Sequence, residues 1–156
     1  MTAPLAPGAA APDFALRDQN NQGVRLADVR GARDVLLVFY PFAFTGVCRG
    51  ELAGIQEDLG SFVNEAVQVL AVSVDSVFAH KVWADREGYE FPLLADFWPH
   101  GAVASAYGVF DSGRGVAERA TFVVDRAGVI RFVEVNPPGV ARDAGRWRVA
   151  LAALRR

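Results

Sequence analysis

Much of the usual chemistry of enzymes is scarce in this chain. Among 156 residues there is one cysteine, Cys48, one lysine, Lys81, and two histidines, His80 and His100. A lone cysteine excludes an internal disulfide and suits a reducing compartment, so a cytoplasmic protein is expected. The histidines lie far apart with no cysteine or clustered carboxylate at ligand spacing, which argues against a metal site. The "GRG" at 113–115 lacks the further glycines of a dinucleotide or phosphate loop. The formal net charge is −2 and no block of like charge occurs, so neither nucleic acid nor an anionic membrane is an expected partner. Long apolar runs are missing too. The longest, Val35 to Phe44, is about half of the roughly 20 residues needed to cross a bilayer and is interrupted by Pro41. The opening "MTAPLAPGAAAPDF" has neither a basic start nor an apolar core, which argues against a secretory leader.

The hydrophobic content is 52%, enough for one domain spanning 1–156 with a sizeable core. "PDFALRDQNNQGVRLADV" alternates apolar and polar residues around a turn, as an N-terminal β-hairpin at a sheet edge would. "DVLLVFYPF" is continuously apolar, the composition of a strand buried on both faces. From Gly46 the residues Val47, Leu52, Ile55, Leu59, Phe62 and Val63 follow helical spacing and predict one amphipathic helix. "VQVLAVSVD" predicts a second buried strand, and "SVFAHKVWADREG" a helix capped by Ser76 and stopped by Gly88. "FPLLADFWPHG" reads as a loop and "AVASAYG" as a short helix. "ERATFVVDRAGVIRFVEV" reads as an antiparallel pair turning at Arg126 to Gly128. A terminal helix follows, with Trp147, Val149, Leu151 and Leu154 as its apolar anchors. This order predicts an α/β, thioredoxin-like fold: a mixed central sheet flanked by helices, with the N-terminal hairpin as an extension.

The thiol sits at the junction of the central strand and the first long helix. With Thr45 as N-cap, Cys48 is the N3 residue, in a turn whose N–H groups have no helical acceptor and whose dipole end is positive. Such a position, with Arg49 adjacent, favours the thiolate, which is the nucleophile. Pro41 lacks an N–H and ends the strand just before the reactive loop. A free cysteine is commonly a small buried hydrophobe; the helix start, the preceding Thr45 and the neighbouring arginine point instead to a reactive one.

The stretch "PFAFTGVC" matches the P-x-x-x-[TS]-x-x-C signature of the peroxiredoxins through Pro41, Thr45 and Cys48. The chain resembles that family along nearly its whole length. "FTGVCRGEL" and "DFWPHGAVASAYGVF" look most like the one-cysteine alkyl hydroperoxide reductase E type of actinobacteria. The resemblance implies an antioxidant peroxidase in which Cys48 attacks a hydroperoxide and becomes a sulfenic acid. Thr45 would hold thiolate and peroxide, Pro41 would shield the thiolate, and Arg119 would stabilise the developing charge, with amides around Val47 and Cys48 completing the cradle. Taken alone, Arg119 reads as a surface charge paired with Glu118 or Asp111. Glu51, one turn after Cys48, is a candidate to orient Arg119 or Arg49, against an exposed helix-face charge. Phe42 and Trp83 are candidates to line the peroxide pocket; otherwise Trp83 joins Phe91, Trp98 and Trp147 as core or interface aromatics.

No cofactor is implied. The expected substrates are hydrogen peroxide, organic hydroperoxides and peroxynitrite. With no second cysteine, an external thiol must reduce the sulfenic acid. The resemblance implies mycothiol with mycoredoxin, or thioredoxin or glutaredoxin, and a homodimer, to which exposed loop aromatics such as Phe42, Phe44, Phe97 and Trp98 would contribute. Two alternatives stand beside this: a thiol–disulfide oxidoreductase, since Thr45-Gly46-Val47-Cys48 resembles a C-x-x-C whose first cysteine has become threonine, and a redox sensor or partner-binding relative of the same fold.

Overall fold

The computed structural model describes residues 3–154; Met1, Thr2, Arg155 and Arg156, the last two at the end of the predicted terminal helix, lie outside the described residues. The opening hairpin forms as β1 (Ala15–Arg17) and β2 (Gly23–Arg25), with the short helix α1 (Leu26–Arg30) after it. Then come β3 (Asp34–Phe39), α2 (Gly46–Glu57), α3 (Leu59–Phe62), β4 (Val67–Ser73), α4 (Val77–Glu87), β5 (Leu93–Ala95) and α5 (Ala102–Ala106). A small hairpin, β6 (Phe110–Asp111) and β7 (Val116–Ala117), precedes β8 (Arg119–Val124), β9 (Ile130–Asn136) and α6 (Ala144–Ala152).

Seven strands form one mixed sheet in the order β2-β1-β5-β4-β3-β8-β9. β3, β4 and β5 run parallel, while β8 pairs antiparallel with β3 and β9 antiparallel with β8. The continuous apolar run of β3 is explained by its central place. Side chains alternate faces along a strand, so Leu36, Val38 and the following Tyr40 enter a core with Leu52, Ile55, Trp83 and Trp147 from α2, α4 and α6. Val35, Leu37 and Phe39 enter a second core with Leu26, Ala104 and Tyr107. Both faces of β3 are thereby buried, the condition that a helix-covered sheet imposes.

α4 is bounded as its sequence predicts: Ser76 Oγ accepts from the Ala79 amide at 3.1 Å, and Gly88 stops the helix at φ +76°. Three expectations need correction. The helix predicted from Gly46 to Val63 breaks at Asp58, whose backbone leaves the helical region (φ −120°, ψ 40°), so a second short helix carries Phe62 into the core. Leu93–Ala95, read as loop, is a strand, because Leu93 and Leu94 pair with the parallel β4 and are buried in both cores. Val149 points away from the sheet and is 72% exposed, leaving Trp147 and Leu151 as the buried anchors of α6. Trp98 is 81% exposed and lies outside both cores.

Candidate active site

β3 ends at Phe39, and the Tyr40 amide makes one more ladder bond to Val72 O at 3.0 Å. Pro41 follows, with no N–H to extend the ladder. The chain turns through Phe44, which takes φ +68°, and enters α2 with Thr45 as N-cap. The first intrahelical bond runs from Arg49 N to Thr45 O (2.8 Å), so the amides of Gly46, Val47 and Cys48 have no helical acceptor. The Thr45 hydroxyl does not cap one of them; it donates to Phe42 O at 2.9 Å.

Cys48 is fully buried and in no disulfide. Arg119, the first residue of β8 and 6% exposed, places Nη1 3.4 Å from Cys48 Sγ. The same Nη1 pairs closely with Glu51 Oε1. Of the two partners proposed for Glu51 it is therefore Arg119 that it contacts; Arg49 turns outward to Glu87 (Nε–Oε1 2.9 Å), away from the position beside the thiol expected for it.

Glu51 has a second partner that the sequence did not announce. Arg142, on the loop between β9 and α6, donates to Glu51 Oε2 from its amide (2.8 Å) and from Nε (3.1 Å). Its remaining donors reach Ala120 O (2.9 Å), Thr121 Oγ1 (3.2 Å) and Phe39 O (2.5 Å). Burial pulls Arg142 below the ordinary guanidinium range, and the Glu51 carboxylate opposes that shift. Nothing in "NPPGVARDAG" marks this arginine, because its role arises only when the loop folds back over α2 and β8. Two guanidinium groups thus share one carboxylate in a buried site. The cluster is one positive charge in excess until an anion joins it, and buried charge is tolerated when it is paired.

A cavity of about 250 Å³ opens against this cluster. Pro41, Phe42, Thr45, Val47 and Arg119 form one wall; Asp111, Arg114 and Glu118 carry charge at its rim, and Asn136, Pro138 and Gly139 close it. The structure therefore brings together Pro41, Phe42, Thr45, Val47, Cys48, Glu51 and Arg119. It does not bring in Trp83, which is fully buried among Tyr40, Phe44 and Tyr89 (ring centroids 5.2 to 5.9 Å) and lies outside the cavity lining. Among the described residues no group of His, Cys, Asp and Glu is arranged to hold a metal ion, and no helix is long and apolar enough to cross a membrane.

A thioredoxin-type mixed sheet with its one cysteine in the first turn of a helix, beside a buried arginine and a small cavity, defines a thiol peroxidase. Comparison with known proteins gives the same class. Residues 7–133 match the AhpC/TSA family, and the chain belongs to it as a peroxiredoxin, an enzyme that reduces a peroxide with electrons from a thiol. Alkyl hydroperoxide reductase E of Mycobacterium tuberculosis is 57% identical over 147 residues, covering 94% of this chain and 96% of the relative. The chloroplastic 2-Cys peroxiredoxin BAS1 of Hordeum vulgare is 34% identical over 157 residues, covering 94% and 74%. Among solved structures, peroxidoxin BcpB from Mycobacterium tuberculosis superimposes with a TM-score of 0.87 at 27% identity, covering 97% of this chain and 99% of that one.

Proposed function

We propose that Cys48 is the peroxidatic nucleophile of a one-cysteine peroxiredoxin that reduces hydrogen peroxide, organic hydroperoxides and peroxynitrite. The observation that carries this reading is Arg119 Nη1 at 3.4 Å from Cys48 Sγ, behind the cavity walled by Pro41 and Thr45. The thiolate attacks the terminal oxygen of a hydroperoxide; an S–O bond forms, the O–O bond breaks, and the leaving alkoxide departs with the bonding pair and takes up a proton. Arg119 donates where negative charge moves from sulfur to the leaving oxygen, and the amides of Val47 and Cys48 add donors on the same side. Pro41 shields the sulfur, Thr45 offers its hydroxyl oxygen to the peroxide proton, Glu51 holds Arg119, and Val47 and Phe42 bound the cavity.

The resulting Cys48 sulfenic acid condenses with an external thiol to give a mixed disulfide and water, and a second thiol releases the reduced enzyme. Similarity to the mycobacterial relative supports mycothiol with mycoredoxin as the reductant, with thioredoxin or glutaredoxin as the other candidates. We place the enzyme in the cytoplasm, as one domain over 1–156 that assembles into a homodimer. The exposed Phe44 (45%), Phe97 (53%) and Trp98 supply apolar surface for that contact.

The deciding experiment is stopped-flow mixing of the reduced protein with hydrogen peroxide, read by tryptophan fluorescence and by trapping of the sulfenic acid with dimedone. A rapid change that saturates at one equivalent and is absent from Cys48→Ser supports the reading. Oxidation no faster than that of free cysteine rejects it and turns attention to disulfide exchange or redox sensing.

A further inference from the structure

A second buried polar cluster, separate from the Glu51 pair, ties the reactive loop to the end of β4 and to α4. Asp75 Oδ2 accepts from the Ala43 amide at 2.8 Å and from Ser73 Oγ at 2.6 Å. Ser73 Oγ lies 2.8 Å from His80 Nε2, which lies 2.7 Å from the Tyr40 hydroxyl. Tyr40, Ser73 and His80 are fully buried. Burial lowers His80 to about 4 and pushes Tyr40 well above its usual value, so at neutral pH the imidazole is uncharged and the phenol keeps its proton. The Asp75 carboxylate only accepts, so the Ser73 proton goes to it, and the Ser73 oxygen accepts in turn from the Nε2–H of the neutral imidazole. The Asp75 carboxylate is left with a fixed direction, facing the Ala43 N–H.

The next residue is Phe44, at φ +68°. A bulky residue in the left-handed region is strained and persists only where its surroundings over-determine it. Three contacts do so here. Asp75 holds Ala43, the Thr45 hydroxyl holds Phe42 O, and the Phe44 ring lies against Trp83 (5.9 Å) and under the Arg86 guanidinium (5.5 Å). Of these, only the Asp75 contact anchors the turn to the buried sheet through a backbone hydrogen bond.

We propose that Asp75 is a positioning residue for the chemistry at Cys48: through the Ala43 amide it holds the strained turn that sets Pro41, Thr45 and the first turn of α2 around the sulfur. This rests on Cys48 being the peroxidatic nucleophile. Asp75 touches neither Cys48 nor the cavity and acts through the loop; its Ser73–His80–Tyr40 backing keeps the carboxylate from swinging to solvent.

The test compares two reactions of the reduced thiol in wild type, Asp75→Ala and Asp75→Asn. Hydrogen peroxide requires the assembled cradle, whereas iodoacetamide requires only a reachable thiolate. In Asp75→Ala the ratio of peroxide to iodoacetamide rate constants is expected to fall about tenfold or more, since misplacement by about 1 Å costs up to roughly 10²-fold in rate. Asp75→Asn recovers most of that ratio, because its carboxamide oxygen, in the place of Oδ2, accepts from both the Ala43 N–H and the Ser73 hydroxyl. A role confined to stability leaves the peroxide rate constant of the folded protein near wild type, whatever loosening does to alkylation of the buried thiol. An unchanged ratio in Asp75→Ala, or no recovery in Asp75→Asn, overturns the proposal. Should Asp75→Ala fail to fold, Asp75→Ser, polar but one atom too short to reach Ala43, makes the same comparison. Wild type reacting with peroxide no faster than free cysteine overturns the reading of Cys48 itself, a result the variants cannot produce.

Discussion

Arg119, at the start of β8, places Nη1 3.4 Å from Cys48 Sγ, and the same nitrogen is held by Glu51. One guanidinium thus serves a thiol and a carboxylate together. Removing one preorganised donor from developing negative charge costs roughly 10²–10³-fold in rate, and Arg119→Ala is expected to slow peroxide oxidation of Cys48 by that order while the far-UV spectrum is unchanged. Arg119→Lys recovers only part of the loss, because a compact ammonium lacks the fixed fork that lets one side chain satisfy two partners. Second-order rate constants from competition with horseradish peroxidase measure both; a near wild-type rate for Arg119→Ala removes it from the mechanism.

Glu51 is the hinge of the charge cluster, accepting from Arg119 on one oxygen and from Arg142 on the other. Glu51→Gln leaves two buried cations without their anion. Breaking a buried ion pair in this one-sided way costs about 3–5 kcal/mol, so the urea midpoint at pH 7 drops and peroxide oxidation slows with it. A midpoint within a few tenths molar of wild type would show that the backbone and hydroxyl contacts of Arg142 suffice alone.

The fold was legible where the sequence carries period and punctuation. The doubly buried β3, the capped α4 and the hairpin at Arg126 to Gly128 each have a local cause visible in a few residues. β5 was not, because three residues carry no period and Leu93–Ala95 become a strand only by pairing with β4. The break at Asp58 was also hidden, since the apolar spacing continues through Leu59 and Phe62. At the site, Pro41, Thr45 and Cys48 lie within eight residues and form a motif. Arg142 and Asp75 carry no such signal; their partners, Glu51 and Ala43, are 91 and 32 positions away.

Trp83 lies outside the cavity but stacks on the reactive turn through Phe44 and on Tyr40, in the same core cluster as Cys48. Its surroundings change when the sulfur gains an oxygen. Trp98 is exposed and Trp147 packs against Phe62. Trp83→Phe should therefore abolish most of the fluorescence change on oxidation while dimedone trapping still proceeds, and Trp98→Phe should lower the total signal with the redox change intact.

His80 gives the fold a pH dependence whose sign follows from its burial. Desolvation holds it at about 4 in the folded chain, with the nearby Asp75 carboxylate pulling the other way, against 6.5 for the ordinary imidazole. Between those values the unfolded chain binds more protons than the folded one, so stability rises with pH across the window. The contribution is fully present above about 6.5 and is lost progressively as pH falls towards 4. At 1.36 kcal/mol per unit, the difference is on the order of 3 kcal/mol. Urea unfolding at pH 7, 5.5 and 4.5 should show this loss, and His80→Asn, which cannot titrate, should flatten the slope between pH 6.5 and 4.5 while lowering stability at pH 7. An equal slope in wild type and variant would remove His80 as the source of acid sensitivity in this window; Asp13 and Asp125, held below their usual value, lose their stabilising charge only at lower pH.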